Sequence, residues 1–324
     1  MKKAKPALIL LLKILVSGGL LAFFFTRTHP ERFFSTLLAA DFSYIALAMV
    51  VYLATQAVSA ARWQVLARPL GFEQPFGRYL VFYLIGMFFN LFAPGTVGGD
   101  VSRVYYLAQS GMKQDETIPG GPTVRGTVSV LVDRIVGMAV LVWVGATGLL
   151  LFPEYQVPTT VKLITFALAA GFILAGVMVP LLRRLLPEDG HPLAVKLRVA
   201  LRSYRAHGRA LPNAVAISVI VHLIQAWVHW ILGNALSIDI PLSYCFILYP
   251  LVGTFSAIPI SLNGLGLREG GYIFMFAVIG LGTEKGIVFG LLLFFVVVAN
   301  SLIGGLVFLL HKSPRPSAVP DQIR

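Results

Sequence analysis

The sequence predicts an all-α integral membrane protein. Its expected plan is six full spans plus two broken re-entrant helical hairpins, arranged as an inverted-topology repeat. Three observations carry this. Hydrophobic residues make up 57% of the 324-residue chain and charged residues only 12%, and mean hydropathy is +0.82, values of multi-span helical proteins. Six apolar runs reach the roughly 20 residues needed to cross about 30 Å of hydrocarbon: 7–26, 43–67, 124–151, 160–185, 212–236 and 286–311. Two further runs are each cut by proline and glycine, 76–92 with 99–110 and 243–259 with 264–280.

The first break organises the chain. It reads GMFFNLFAPGTVGGDVSR from Gly86 to Arg103. Pro94 removes a backbone donor, while Gly95, Gly98 and Gly99 admit strained backbone, so the helix should stop here. Asp100 then stands where an N-cap belongs, with a new helix from Val101 to Ser110. The arm is too short to cross alone and is read as returning to the side it came from. Irregular backbone at membrane depth survives only where protein buries it or it lines a wet cavity. The second break repeats the plan with Pro259, Asn263, Gly264 and Gly266 ahead of Arg268 and Glu269. Each half is thus span, span, broken hairpin, span, over about 1–155 and 156–311, in a single transmembrane domain covering 1–324. The first half starts inside and the second outside. Inverted repeats broken in matching places mark secondary transporters. Substituting Gly98, Gly99, Gly264 or Gly266 is expected to be poorly tolerated.

Charge sets the orientation. With the N-terminus inside, the inner segments hold Lys2, Lys3, Lys5, Arg62, Arg68, Arg78, Arg103, Lys113 and Arg125. They also hold Arg183, Arg184, Lys196, Arg198, Arg202, Arg205, Arg209, Lys312, Arg315 and Arg324. The outer segments hold Arg27, Arg32, Lys162, Arg268 and Lys285. That asymmetry places both termini in the cytoplasm. It also accounts for the net charge of +12 without nucleic acid. MKKAKP before the first run resembles a signal sequence, but the long run without a small-residue cleavage site reads as an uncleaved span. In the inner loop 187–211, Leu193, Leu197, Leu201 and Tyr204 form an apolar stripe and Arg198, Arg202, Arg205 and Arg209 a basic one. This describes a helix on anionic lipid, or a plain topology determinant. The segment 312–324 reads as a disordered cytoplasmic tail.

Charges within spans are expensive and mark function. The candidate ligand-binding residues are Asn90, Asp100, Arg103, Asp133, Arg134, Asn263, Arg268 and Glu269. Guanidinium forks match phosphate oxygens, and helix arms starting near Gly99 and Gly264 aim N–H groups and positive dipole ends at the breaks. The plain alternative for the carboxylates is internal ion pairing that locks the hairpins. Arg62 ends the second span beside Trp63. His222, Gln225 and His229 share a face of the fifth span and read as interhelical polar contacts rather than metal ligands. The single cysteine, Cys245, excludes an internal disulfide and a Cys-based metal site. No catalytic motif of the H-E-x-x-H, G-x-S-x-G or P-loop kind occurs, and no catalytic residue, metal or cofactor is expected.

Three motifs in order, Asn90-x-x-x-Pro94-Gly95-x-x-Gly98-Gly99-Asp100-x-x-Arg103, Asp133-Arg134, and Gly264-Leu265-Gly266-x-Arg268-Glu269, resemble the flippase-like family of the lysylphosphatidylglycerol synthase transmembrane region. The resemblance covers about residues 7 to 311. It departs at Asp133, where glutamate is the expected residue, and in the 112–124 loop with its IPGGP. It implies movement of a phospholipid or lipid-linked precursor between leaflets of a bacterial or archaeal cytoplasmic membrane. The family's full-length members carry a soluble synthase domain; a stand-alone chain without it is expected to translocate rather than transfer aminoacyl groups. A homo-oligomer and a separate lipid-modifying enzyme are the protein partners that fit. Two other classes stay open: an integral membrane transferase acting on a lipid headgroup, and a small-solute secondary transporter.

Overall fold

The computed structural model describes residues 18–19, 30–92, 97–112, 120–182, 198, 202–258 and 264–311. Among them every regular element is helical. Helices α1 to α10 are Pro30–Leu38, Phe42–Ala67, Phe76–Phe92, Val97–Gln109, Pro122–Leu151, Thr159–Leu182, Ala210–Ala235, Leu242–Ser256, Leu267–Val278 and Thr283–Leu310. Five segments are long and apolar enough to cross a membrane: Phe42–Leu70, Pro122–Leu151, Thr159–Met178, Ala210–Ala235 and Thr283–Leu310. They correspond to five of the six expected spans. The other, 7–26, lies outside the described residues apart from Gly18 and Gly19, as does the 312–324 tail.

Local chemistry sets the ends. Asp41 caps α2 by accepting from the Ser43 N–H at 2.8 Å. Its far end tightens into a 3-10 turn, Arg68–Leu70, closed by left-handed Gly71, the backbone state glycine adopts most readily. Pro122 occupies the first position of α5, where its missing donor does no harm. α1 is an element the sequence reading left as loop. It starts at a proline, carries Glu31 in its first turn, and exposes Phe34, Leu37 and Leu38. Its short apolar stripe lies among charged residues and is too brief to stand out as a period.

The hairpins depart from expectation in detail. α4 begins at Val97, so Asp100 lies inside its first turn rather than at the N-cap. An acid there still complements the helix dipole, and the glycines are compatible with helix in a first turn that packs tightly. A methyl at Gly99 would collide with the Gly86 carbonyl and the Asn90 side chain. In the second hairpin α8 stops at Ser256, short of the expected 259, and α9 starts at Leu267. Gly264 and Gly266 take positive φ of 76° and 83°, and Glu269 accepts from the Gly266 N–H at 2.6 Å to cap α9. Pro94, Gly95, Pro259 and Asn263 lie outside the described residues. Gly99→Ala is expected to destabilise by about 1–3 kcal/mol through overpacking, and Gly264→Ala by a similar amount through backbone strain. Thermal midpoints of purified variants check both; midpoints equal to the parent's would show these breaks to be ordinary turns.

α2 and α7 pack along each other at the centre. Around them α3 packs on α4 and α4 on α5, α8 packs on α9 and α9 on α10, α3 crosses to α10, and α8 crosses to α5. If α2–α5 are exchanged for α7–α10, each of these close packings maps onto another that is present. Small residues repeat in the same way. Gly304 and Gly305 of α10 receive Leu84 and Phe88 of α3, while Gly145 and Gly148 of α5 receive Pro250 and Phe246 of α8. Such residues let backbones approach where lipid supplies no hydrophobic drive between helices. α6 packs on α5, with Trp143 donating to the Ala169 carbonyl at 3.2 Å. It leaves Leu163, Leu168, Ile173 and Val177 exposed. Of the 187–211 loop, the described end turns Tyr204 inward, its hydroxyl donating to the Leu66 carbonyl at 2.7 Å, and leaves Arg202, Arg205 and Arg209 exposed.

Candidate functional site

The flanks of both breaks line one cavity of about 720 Å³, within the range of ligand sites. Asn90 and Leu91 lead into the first break, while Ile258 and Gly264 border the second. Asp100 and Arg103 reach the cavity from α4, Asp133 and Arg134 from α5, and Arg268 from α9. Six of the eight candidate residues therefore share its wall. Glu269 is fully buried behind Arg268, and Asn263 lies outside the described residues.

The charges divide into a brace and a second set. Asp133 is 1% exposed. One of its oxygens accepts from Arg62 Nε at 2.8 Å and the other from Arg103 Nη2 at 2.7 Å. Arg62 also donates to Ser218 on α7 at 3.0 Å, so one carboxylate ties α2, α4, α5 and α7 together. The Arg103 guanidinium is held against the rings of Trp63 at 4.2 Å and Tyr83 at 4.6 Å, and Trp63 donates to Ser129 at 3.1 Å. Such cation–π contacts strengthen when desolvated. This triad is buried, and its two guanidiniums outnumber its one carboxylate; Arg103 Nη1 also lies 4.0 Å from Asp100.

The second set is Asp100, Arg134 and Arg268, the last with a side chain only 11% exposed. Arg134 pairs with Asp100, and their side chains are 38% and 24% exposed. Arg268 places Nε and Nη2 on one Glu269 oxygen, at 3.1 and 2.8 Å, with Phe294 5.3 Å from its guanidinium carbon. Its Nη1 makes no hydrogen bond among the described residues, and Arg268 lines the cavity. With Arg62, Arg103, Arg134 and Arg268 set against Asp100, Asp133 and Glu269, guanidiniums outnumber carboxylates, and the cavity suits an anion. The helix N-termini contribute less than expected. The Gly99 N–H donates to Asn90 Oδ1 at 2.8 Å and the Gly266 N–H to Glu269, so both donors are engaged within the hairpins.

Arg62 belongs to the site but was absent from the expected set. The signal was present: Tyr52, Gln56, Ser59 and Arg62 form a polar line along α2, and all four line the cavity. His222 and His229 make the expected interhelical contacts. His222 Nε2 donates to the Gly137 carbonyl at 2.9 Å and its Nδ1 accepts from Tyr249 at 2.8 Å. His229 Nδ1 donates to the Gln225 carbonyl at 2.8 Å, with Nε2 accepting from Tyr272 at 2.7 Å. The carbonyls fix these tautomers, because a carbonyl oxygen only accepts.

Two comparisons with known proteins bear on this geometry. Over 143 residues, 44% of its length, the chain is 24% identical to a UPF0104 membrane protein of Methanocaldococcus jannaschii. It spans 39% of that relative's length. No solved structure matches the chain. Residues 10–305, which include both hairpins and every charged residue of the cavity, match the family described as the Lysylphosphatidylglycerol synthase TM region, and the chain belongs to that family.

Proposed function

We propose that this membrane protein is a lipid translocase. It moves the headgroup of an anionic phospholipid or lipid-linked precursor across a bacterial or archaeal cytoplasmic membrane. The observation that carries this reading is the convergence of residues flanking both hairpin breaks on one charged cavity inside a bundle of apolar helices. Such a cavity offers a phosphate positive partners at membrane depth, where an unpaired charge costs several kcal/mol. The arginines of the second set, Arg134 and Arg268, take the phosphate. Asp100 and Glu269 hold those arginines while the cavity is empty, and the phosphate joins these pairs rather than displacing them, so no buried carboxylate is left alone. Arg103 and Arg62 act through the brace on Asp133.

The interchange of packing partners between α2–α5 and α7–α10 supports an inverted repeat with the hairpins opening from opposite leaflets. Both termini and the 187–211 loop then face the cytoplasm, while 153–159 and 281–285 face outside. Cysteine labelling in a Cys245→Ser background checks this. A cysteine at 190 should resist a membrane-impermeant reagent in intact cells and react after permeabilisation; reaction in intact cells rejects the orientation.

Proteoliposomes holding the purified chain and fluorescent phospholipid test the function. Translocation should raise the fraction of label bleached by external dithionite well above that of protein-free vesicles, with no new lipid species by mass spectrometry. A new lipid species would instead identify a headgroup transferase. No gain in bleaching with any anionic phospholipid would overturn the translocase reading.

A further inference from the structure

A second, smaller chamber of about 190 Å³ adjoins the main cavity beyond Arg268. Six waters fill roughly that volume. The two spaces share Tyr52, Gln225, Tyr249 and Arg268 as wall, and the smaller adds His229 and Tyr272. This lining differs in kind from the charged wall. No carboxylate reaches it, since Glu269 stays behind Arg268. It combines aromatic faces and the aliphatic side chains Val252, Leu293 and Val297 with a small set of neutral donors and acceptors.

Those groups can be counted atom by atom. The Tyr52 hydroxyl has no hydrogen-bond partner among the described residues and can donate or accept. Gln225 commits its amide nitrogen to Thr55 at 3.2 Å, which leaves its Oε1 as an acceptor. Tyr249 and Tyr272 donate to the two histidines and keep oxygen lone pairs. Arg268 Nη1 is a donor at the junction. A headgroup amine would meet no carboxylate here and would face the Arg268 guanidinium, a like charge. A hydroxyl, which donates and accepts at once, matches each of these polar groups, and the aromatic and aliphatic faces suit the C–H surface of a polyol.

We propose that this chamber is a subsite for a neutral polyhydroxyl unit esterified to the lipid phosphate. Glycerol, inositol and sugar headgroups are of this class. The proposal rests on the translocase reading, with Arg268 between the two compartments holding the phosphate while the polyol turns into the tyrosine-lined side.

Equilibrium binding to the purified full chain in detergent tests it, by displacement of a fluorescent phosphatidic acid. The competitors are dioctanoyl phosphatidylinositol, phosphatidylglycerol, phosphatidylethanolamine and phosphatidic acid. The inositol and glycerol lipids should bind about tenfold more tightly than phosphatidic acid, and phosphatidylethanolamine should gain nothing. Tyr52→Phe and Gln225→Met should each cut the phosphatidylinositol to phosphatidic acid affinity ratio about 3- to 10-fold, as loss of one hydrogen bond requires. Elution profile and thermal midpoint confirm that each variant is folded, and either one suffices. Equal affinity for all four lipids, preference for the ethanolamine lipid, or an unchanged ratio in both folded variants overturns the subsite alone. Binding of none of the four overturns the anionic-headgroup reading and the subsite with it.

Discussion

Asp133→Ala is expected to lower stability by about 3–5 kcal/mol, the usual consequence of removing one partner from a buried ion pair. Here the loss falls on two guanidiniums at once, since Arg62 and Arg103 both bind this carboxylate at 2.8 and 2.7 Å. Asp133→Asn keeps the shape and one carbonyl acceptor but supplies no charge, so it should fall between the parent and the alanine variant. The brace reading also predicts coupling. Arg62→Leu and Arg103→Leu together should recover part of the loss in Asp133→Ala, because a buried ion cluster replaced as a unit leaves no orphaned charge. Thermal midpoints and monodisperse yield in detergent measure this series. A stable Asp133→Ala protein that has lost transport would move Asp133 from brace to substrate or coupling group.

Arg268→Ala should lose translocation by roughly 10- to 100-fold, the range for deleting a hydrogen bond to a charged group, with a smaller effect on folding. Glu269 loses its guanidinium partner but keeps the Gly266 N–H at 2.6 Å. Glu269→Gln in the same chain should restore the lost stability, because glutamine still accepts that N–H and no longer carries a buried charge. It should not restore transport. Arg268→Lys should fold as the parent does and transport poorly, since an ammonium lacks the planar fork that grips phosphate. Arg103→Lys should show the opposite balance, with the heavier loss in stability, because Arg103 is packed between two rings and fixed to Asp133. Dithionite assays paired with melting curves separate the two arginines. Full translocation by Arg268→Ala would leave this residue a structural partner of Glu269 and remove it from the mechanism.

The two series bear on what was legible before folding. The five described spans fall within a few residues of where hydropathy puts them, because crossing hydrocarbon imposes a length and a composition that no tertiary context can relax. The breaks were legible from local chemistry: proline lacks a backbone donor, and clustered glycines lose more entropy in a helix than other residues. Exact boundaries were not. α4 starts before Asp100 because Gly98 and Gly99 sit in a first turn pressed against α3, which is visible only once Gly86 and Asn90 are in place. α8 stops at Ser256 and the chain turns through left-handed Gly264 and Gly266, a path fixed by the capping contact of Glu269.

The charged residues show the division most clearly. Composition and position alone marked Asp100, Arg103, Asp133, Arg134, Arg268 and Glu269 as too costly within an apolar run unless paired, and each is ion-paired in the structure. Which partner each one takes was settled by helix rotation and crossing. Arg62 meets Asp133 across 71 residues of chain, a contact that no local pattern encodes. Arg103 binds Asp133 in the buried brace and Arg134 binds Asp100 with its side chain 38% exposed, though both looked alike as intramembrane arginines. Glu269 sits beside Arg268 in sequence, yet only the fold turns the carboxylate inward to cap a helix and leaves Arg268 in the cavity wall. Hydropathy acts residue by residue and can be read along the chain. Ion-pair partnership depends on distances between helices, and those exist only after the bundle has packed.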